Sequence, residues 1–254
     1  MPILDYAFMA LAALAAGFVN AIAGGGTLIT FPVLVALGLP PVAANVTNTV
    51  ALLPGYLGGT IAQREDMRTQ SRLLFLLLPV AAIGGLGGAL LLIASGDRLF
   101  SAIVPWLILA ASLLLALQPA LRSLLVRRAG EAGRNSVHPA WSVVPLVFAS
   151  VYGGYFGAGL SVIVLAALGL GSDESLTRLN ALKQAFAFAV NLAAAIFFAF
   201  SGKALWTEVA VMATAALAGG WLGGRFAGRL EPTVLRWTVV GIGLVVAVVY
   251  LIKR

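Results

Sequence analysis

The chain has 254 residues, 61% of them hydrophobic and 10% charged, a mean hydropathy of +1.03 and a net charge of +7. That balance excludes a soluble globular domain and leaves no length for a sizeable domain outside a polytopic helical bundle. The excess cations lie in short loops between apolar segments, so a positive-inside bias explains them better than nucleic-acid binding. The absence of cysteine removes disulfides and thiolate chemistry.

The chain is apolar almost from its first residue and lacks a basic leader region, so it opens on a retained first helix and not a cleaved signal peptide. Between Ile3 and Pro41 there is one charge, Asp5. An unbroken helix over that stretch would run roughly 57 Å, nearly twice a bilayer core of about 30 Å. Before Pro32 only Gly24-Gly25-Gly26 can interrupt it. A glycine costs about 1 kcal/mol relative to alanine inside a helix, so three together favour a non-helical excursion. Backbone opened at membrane depth must be sheltered by protein or line a wet cavity. The plainer alternative is that these glycines only let two helices pack closely.

In chain order the first half gives apolar segments over 3–22, 25–38, 42–63, 72–94 and 99–118, and the second over 140–157, 160–171, 174–200, 204–227 and 232–252. A polar linker from Arg122 to His138 separates them. The halves share one pattern: long, glycine break, short, long, long, long. Gly24-Gly25-Gly26 answers to Gly157-Ala158-Gly159, and Gly84-Gly85-Leu86-Gly87-Gly88 to Gly219-Gly220-Trp221-Leu222-Gly223-Gly224. A duplicated, glycine-interrupted short segment points to a transporter site at the repeat interface. The small-xxx-small pairs Gly84/Gly88 and Gly220/Gly224 are read as helix-packing contacts.

The expected fold is an all-α polytopic membrane protein of two homologous repeats, each of four long helices plus one short broken or re-entrant helix. The repeats span 1–118 and 140–254, with a cytoplasmic linker over 119–139. If the short segments cross, there are ten crossings and inverted halves; if they re-enter, there are eight crossings and parallel halves. The inverted arrangement collects Arg64, Arg68, Arg72, Arg122, Arg127, Arg128, Arg134, Arg178, Arg225, Arg229 and Arg236 on the cytoplasmic side and is favoured.

Segment 174–200 carries Thr177, Asn180, Lys183, Gln184 and Asn191 within about 120° of arc on an otherwise apolar helix. Such groups face the bundle interior or a water cavity, because lipid cannot satisfy them. Segment 42–63 offers Asn45, Asn48, Thr49, Tyr56, Thr60 and Gln63, with Thr47 to one side. Lys183 is the one ionisable residue deep within an expected span; its alternatives are snorkelling to the interface and a structural hydrogen bond. All nine acidic residues fall in loops or near segment ends, so no buried carboxylate is expected as a cation site or proton relay. One lysine, amides, hydroxyls and glycine-rich backbone suit a small oxyanion. The candidate substrate-binding set is Asn20, Gly24, Gly25, Gly26, Thr27, Thr47, Asn48, Thr49, Gly157, Gly159, Asn180, Lys183, Gln184 and Asn191. His138, the only histidine, stands in the linker, and no P-loop or nucleotide fingerprint is present, so neither a metal, a cofactor nor enzymatic catalysis is expected.

The run Ala-Gly-Phe-Val-Asn-Ala-Ile-Ala-Gly-Gly-Gly-Thr-Leu-Ile-Thr-Phe-Pro over 16–32, Gly-Leu-Pro-Pro over 38–41 and Val-Thr-Asn-Thr over 46–49 resemble the sulfite exporter TauE/SafE family, also called the toluene-sulfonate uptake permeases. The second half agrees through Gly-Gly-Tyr-Phe-Gly-Ala-Gly (153–159), Asn-Ala-Leu-Lys-Gln (180–184), Asn191 and Phe-Ser-Gly-Lys-Ala-Leu-Trp (200–206). The resemblance implies a bacterial inner-membrane permease for sulfite, sulfonates or related anions, commonly outward. It implies translocation-site positions at Gly24, Gly25, Gly26, Asn48, Asn180 and Lys183. Many relatives place a lysine where this chain has Thr49, so the site here would hold one cation instead of two, which makes a doubly charged substrate less secure. The expected partners are a small anion and the lipid bilayer, and no nucleic acid; a coupling proton or ion and a homodimer stay open. The competing reading is a non-transporting membrane scaffold or assembly factor, whose polar stripes only fix helix packing.

Overall fold

The computed structural model describes residues 1–62, 71–131, 140–170, 176–226 and 232–252, and these are helical except at short connections. In order come α1 (Ile3–Ile22), α2 (Thr27–Ala36) and α3 (Pro41–Ala62). The run Ser71–Glu131 follows. Its backbone leaves helical geometry at Gly96 (φ 64, ψ 174), dividing it into α4 (71–95) and α5 (97–131). The second half holds α6 (Ala140–Tyr155), α7 (Leu160–Leu170), α8 (Leu176–Phe200), α9 (Trp206–Phe226) and α10 (Pro232–Ile252).

The apolar content that fixes the class also fixes which helices reach across a membrane. Ile3–Ile22, Phe75–Leu121, Arg178–Phe200 and Thr233–Ile252 contain stretches long and apolar enough to span, the second across the Gly96 bend. α2 and α7, with 10 and 11 residues, are roughly half a bilayer core in length. Large apolar side chains such as Phe75, Ile83, Trp106, Phe148, Phe200 and Ile252 point outward, as a lipid-facing surface requires.

The first part of the expected linker is helical, since α5 continues to Glu131. Leu, Arg, Ala and Glu in 121–131 are good helix formers, and a helix leaving the bilayer has no reason to stop where its composition turns polar. The rest of the expected linker lies outside the described residues, as does Gln63.

Glycine-lined crossings set helix direction. Gly219 leaves no room for a β-carbon beside Leu14, nor does Gly17 beside Ala216, nor Gly223 beside Phe18. The step from Leu14 to Phe18 matches the step from Gly219 to Gly223, so α1 and α9 run the same way. Gly84 meets Ser150 and Gly88 meets Val151 and Tyr155 in the same fashion, so α4 and α6 are also parallel. Both crossings follow the small-residue logic of membrane helices, in which backbones approach until dispersion and weak polar contacts hold them. The Leu205 N–H donates to Thr47 Oγ1 at 3.1 Å, and the Val42 N–H to Asp97 Oδ1 at 2.9 Å. The starts of α3 and α9 and the Gly96 bend therefore share one end of the bundle. From these contacts, the described helices alternate in direction from α1 to α10. α3 and α8 pack against each other in the interior, and α10 lies along α5, where Gly243 admits Ser112.

Candidate functional site

The first interruption is Ala23–Gly26. The N–H groups of Ala23 and Gly24 both bond back to Val19 O, at 2.8 and 3.0 Å, and Gly24 and Gly25 take φ of 83° and 93°. That is a left-handed glycine stop, a conformation that a β-carbon would penalise. The second interruption repeats it. Phe156 and Gly157 N–H groups bond to Tyr152 O at 2.9 and 3.3 Å, and Gly157 and Gly159 take φ of 78° and 75°.

Each stop is pinned by a side chain six residues upstream, with opposite polarity. Asn20 Oδ1 accepts the Gly26 N–H at 2.7 Å, whereas Tyr152 OH donates to Ala158 O at 2.6 Å. Around the first stop the polar groups close on one another. Thr30 Oγ1 donates to Asn48 Oδ1, Asn48 Nδ2 lies 3.4 Å from Thr27 Oγ1, and Thr30 Oγ1 also reaches Gly26 O at 3.2 Å. Thr27, Thr30 and Asn48 are all buried. The second stop is held by Asn45, whose Nδ2 donates to Tyr155 O at 2.9 Å. Asn45 is fully buried, and its Oδ1 has no hydrogen-bond partner.

The two interruptions meet. A β-carbon on Gly24 would lie 3.6 Å from Cβ and Oγ of Ser161, the second residue of α7. Gly25 is wedged between Leu115 of α5 and Val239 of α10, at 3.0 and 3.3 Å from its β-position, and Gly159 lies against Ala111 of α5. Phe31 of α2, Phe156 of the second stop and Phe100 of α5 form an edge-to-face cluster with centroids 5.4 to 6.2 Å apart. Such pairs add about 0.5–1.5 kcal/mol each beyond their burial.

Among the sequence candidates, Asn20, Gly26, Thr27 and Asn48 belong to one network at the first stop, and Gly24 and Gly25 form its turn. Asn191 is buried on α8, its Nδ2 donating to Ala187 O at 2.8 Å and its Oδ1 3.9 Å from the β-position of Gly157. Lys183 Nζ donates to Asn180 Oδ1 at 3.1 Å, and Lys183, Asn180 and Gln184 are half-buried on α8. Thr47 Oγ1 accepts the Leu205 N–H at 3.1 Å, and Thr49 donates to Asn45 O at 2.9 Å in its own helix. Thr177 side-chain geometry lies outside the described residues.

Sequence reasoning passed over Thr30, Asn45 as an anchor, and Tyr152. A usable signal existed: Thr27 and Thr30 share a face of a ten-residue helix, and Tyr152 precedes Ala158 by the same six residues that separate Asn20 from Gly26. Glu208, in the first turn of α9, is near a segment end as expected and only 9% exposed. A helix N-terminus favours negative charge there, which is why a segment-end carboxylate can be buried.

The family model for sulfite exporter TauE/SafE matches residues 9–250. This chain belongs to that family. A probable membrane transporter protein of Haemophilus influenzae is 29% identical over 227 residues, covering 89% of this chain and 86% of the relative. A probable membrane transporter protein, ORF9, of a Sinorhizobium species is 31% identical over 256 residues, covering 95% and 90%. The Escherichia coli K12 probable membrane transporter protein YfcA is 28% identical over 227 residues, covering 86% and 77%. No solved structure is significantly similar. This TauE/SafE chain is thus a membrane transporter and not an enzyme, a multi-pass protein of a bacterial inner membrane with a small-molecule substrate.

Proposed function

We propose that this transporter moves a small, singly charged oxyanion of the sulfite or sulfonate class, bound between two inverted repeats, 1–118 and 140–254. The observation that carries this reading is the contact of Gly24 with Ser161, which joins the two glycine stops inside the bundle. Open backbone is tolerated at membrane depth only in protein or beside water, and paired broken helices are the usual frame of a transporter site. The repeat reading gains support from exchange of partners: α1 packs on α9 as α6 packs on α4, and Gly220 meets Gly55 as Gly85 meets Val190. Five alternating helices in each half make the halves opposite in sense. The end that gathers the arginine-rich loops faces the cytoplasm.

In this reading Asn20, Gly26, Thr27 and Asn48 hold the first stop in shape, while Gly157, Gly159 and Asn191 shape the second. Asn180, Lys183 and Gln184 supply the face that meets the anion. A lysine at membrane depth costs about 2.5–3.5 kcal/mol on insertion scales, which favours a functional charge over a decorative one. The test is uptake of radiolabelled sulfite into proteoliposomes, normalised to inserted protein. Lys183→Gln should lose anion-dependent flux while inserting normally, and Lys183→Arg should keep part of it, because the charge survives with altered donor geometry. Wild-type flux in Lys183→Gln would remove the lysine from the site.

A further inference from the structure

We propose that Arg236 is a second anion-binding cation, a docking residue on the cytoplasmic approach to the first glycine stop, which takes a singly charged oxyanion before it enters the bundle. This rests on the transport reading above and extends it to a residue on a different helix. The inward face of α10 carries Arg236, Val239, Val240, Gly243, Ala247 and Tyr250, spaced three or four residues apart. Val239, Val240 and Ala247 are buried, and Gly243 sits against Ser112 and Leu28. Val239 also closes on Gly25, with Cγ1 3.3 Å from the β-position of that glycine. Arg236 stands one turn earlier on the same face, toward the end of the bundle read as cytoplasmic. Arg236 therefore lies on the cytoplasmic side of the level of the first stop, on the face of α10 that packs against it.

The Nε of Arg236 is buried and has no hydrogen-bond partner, while the side chain as a whole is half-buried. Buried donors of native proteins nearly always find a partner, and a permanently charged one calls for an acceptor that carries charge. Nε and an adjacent Nη form the fork that matches two oxygens of a sulfonate, sulfite or carboxylate group. Lys183 enters α8 from the same end of the bundle, about two turns in. Two cations toward one end of the bundle raise the local concentration of anions there. The same oxyanion chemistry exists in a lipid phosphate, but a buried Nε is turned toward the protein and not toward the bilayer.

The experiment measures initial rates of radiolabelled sulfite transport against concentration in phosphatidylcholine vesicles, with and without phosphatidylglycerol, for the wild type, Arg236→Lys and Arg236→Gln. Docking predicts that Arg236→Gln raises KM about tenfold, the loss of one charge-assisted contact, with maximal rate within about twofold, as loss of uniform binding requires. Arg236→Lys should fall between. Thermal unfolding of each purified variant should match the wild type in the absence of anion. If the wild type transports and Arg236→Gln keeps its KM, the docking role is overturned and the transport reading stands. An unchanged KM joined to lost stabilisation by phosphatidylglycerol assigns the guanidinium to lipid phosphate and also overturns docking. No flux in the wild type overturns the transport reading and this assignment together.

Discussion

The two glycine stops share a backbone and differ in their side chains. Both end a helix through a left-handed glycine whose N–H bonds back five residues, and both release a short helix in the reverse direction. At the first, Asn20, Thr27, Thr30 and Asn48 satisfy one another and the turn. At the second, Tyr152 and Asn45 each make one bond to backbone carbonyls, and Asn45 Oδ1 is left over. A closed polar network rigidifies its surroundings, whereas a partly satisfied one leaves local slack. The first stop is therefore the more fully bonded part of the frame and the second the less.

Breaking the crossings that carry both stops should cost most. A β-carbon on Gly154 falls on the Gly85 backbone, so Gly154→Val must push α6 off α4. Overpacking of this kind costs about 1–3 kcal/mol where a core can yield. Two helix backbones in contact yield little, so a loss at or above about 3 kcal/mol is expected. Gly17→Val, on the α1–α9 crossing, should behave alike. Thermal unfolding in detergent checks both, and near-wild-type stability in either would show that its crossing does not hold the stop.

The next test separates the stops. Asn48→Leu leaves Thr27 and Thr30 without their shared partner and should cost about 1–3 kcal/mol, the penalty for stranding buried polar groups. Asn45→Leu removes one bond to Tyr155 O but also removes the orphan oxygen, so its cost should be clearly smaller, at most about 1 kcal/mol. Equal losses would erase the contrast between a closed and an open network.

How much of this the chain discloses by itself depends on range. Apart from the C-terminal end of α5, which runs on to Glu131, hydropathy and the glycine runs mark α1 to α10 within a few residues, because a bilayer fixes helix length and Gly24-Gly25-Gly26 has no comfortable place inside a helix. The stripes on α3 and α8 are legible from periodicity alone. What Asn48 touches is not, since Thr30 reaches it only after α2 folds back. Nor is the partner of Thr47 legible, since its hydroxyl accepts the Leu205 N–H at the start of α9, 158 positions away. Glu208 stands near a segment end, as the sequence implies, but its burial depends on how α9 docks. The helical form of the linker's first part follows from helix propensity, which a polar composition does not cancel.

The smallest expected effects compare the two tyrosines of the second stop. Tyr152 OH donates to Ala158 O at 2.6 Å and is the only side chain among the described residues bonded to that carbonyl. Tyr152→Phe keeps the ring and removes the pin, so a loss of about 1 kcal/mol is expected, within the usual net worth of one hydrogen bond. Tyr155 OH lies 3.2 Å from Ser95 Oγ, and that serine already has Leu92 O at 2.8 Å. The Tyr155 ring also packs edge-on against Phe100 with centroids 5.6 Å apart, a contact that phenylalanine would retain. Tyr155→Phe should therefore cost about 0.5 kcal/mol or less. Hydrogen exchange of the Gly157, Ala158 and Gly159 amides gives the decisive reading. It should accelerate in Tyr152→Phe and stay near wild type in Tyr155→Phe, because only the first hydroxyl touches the turn. Equal acceleration in both would mean that the stop is held by ring packing and not by its upstream pin, and the parallel with Asn20 would fail.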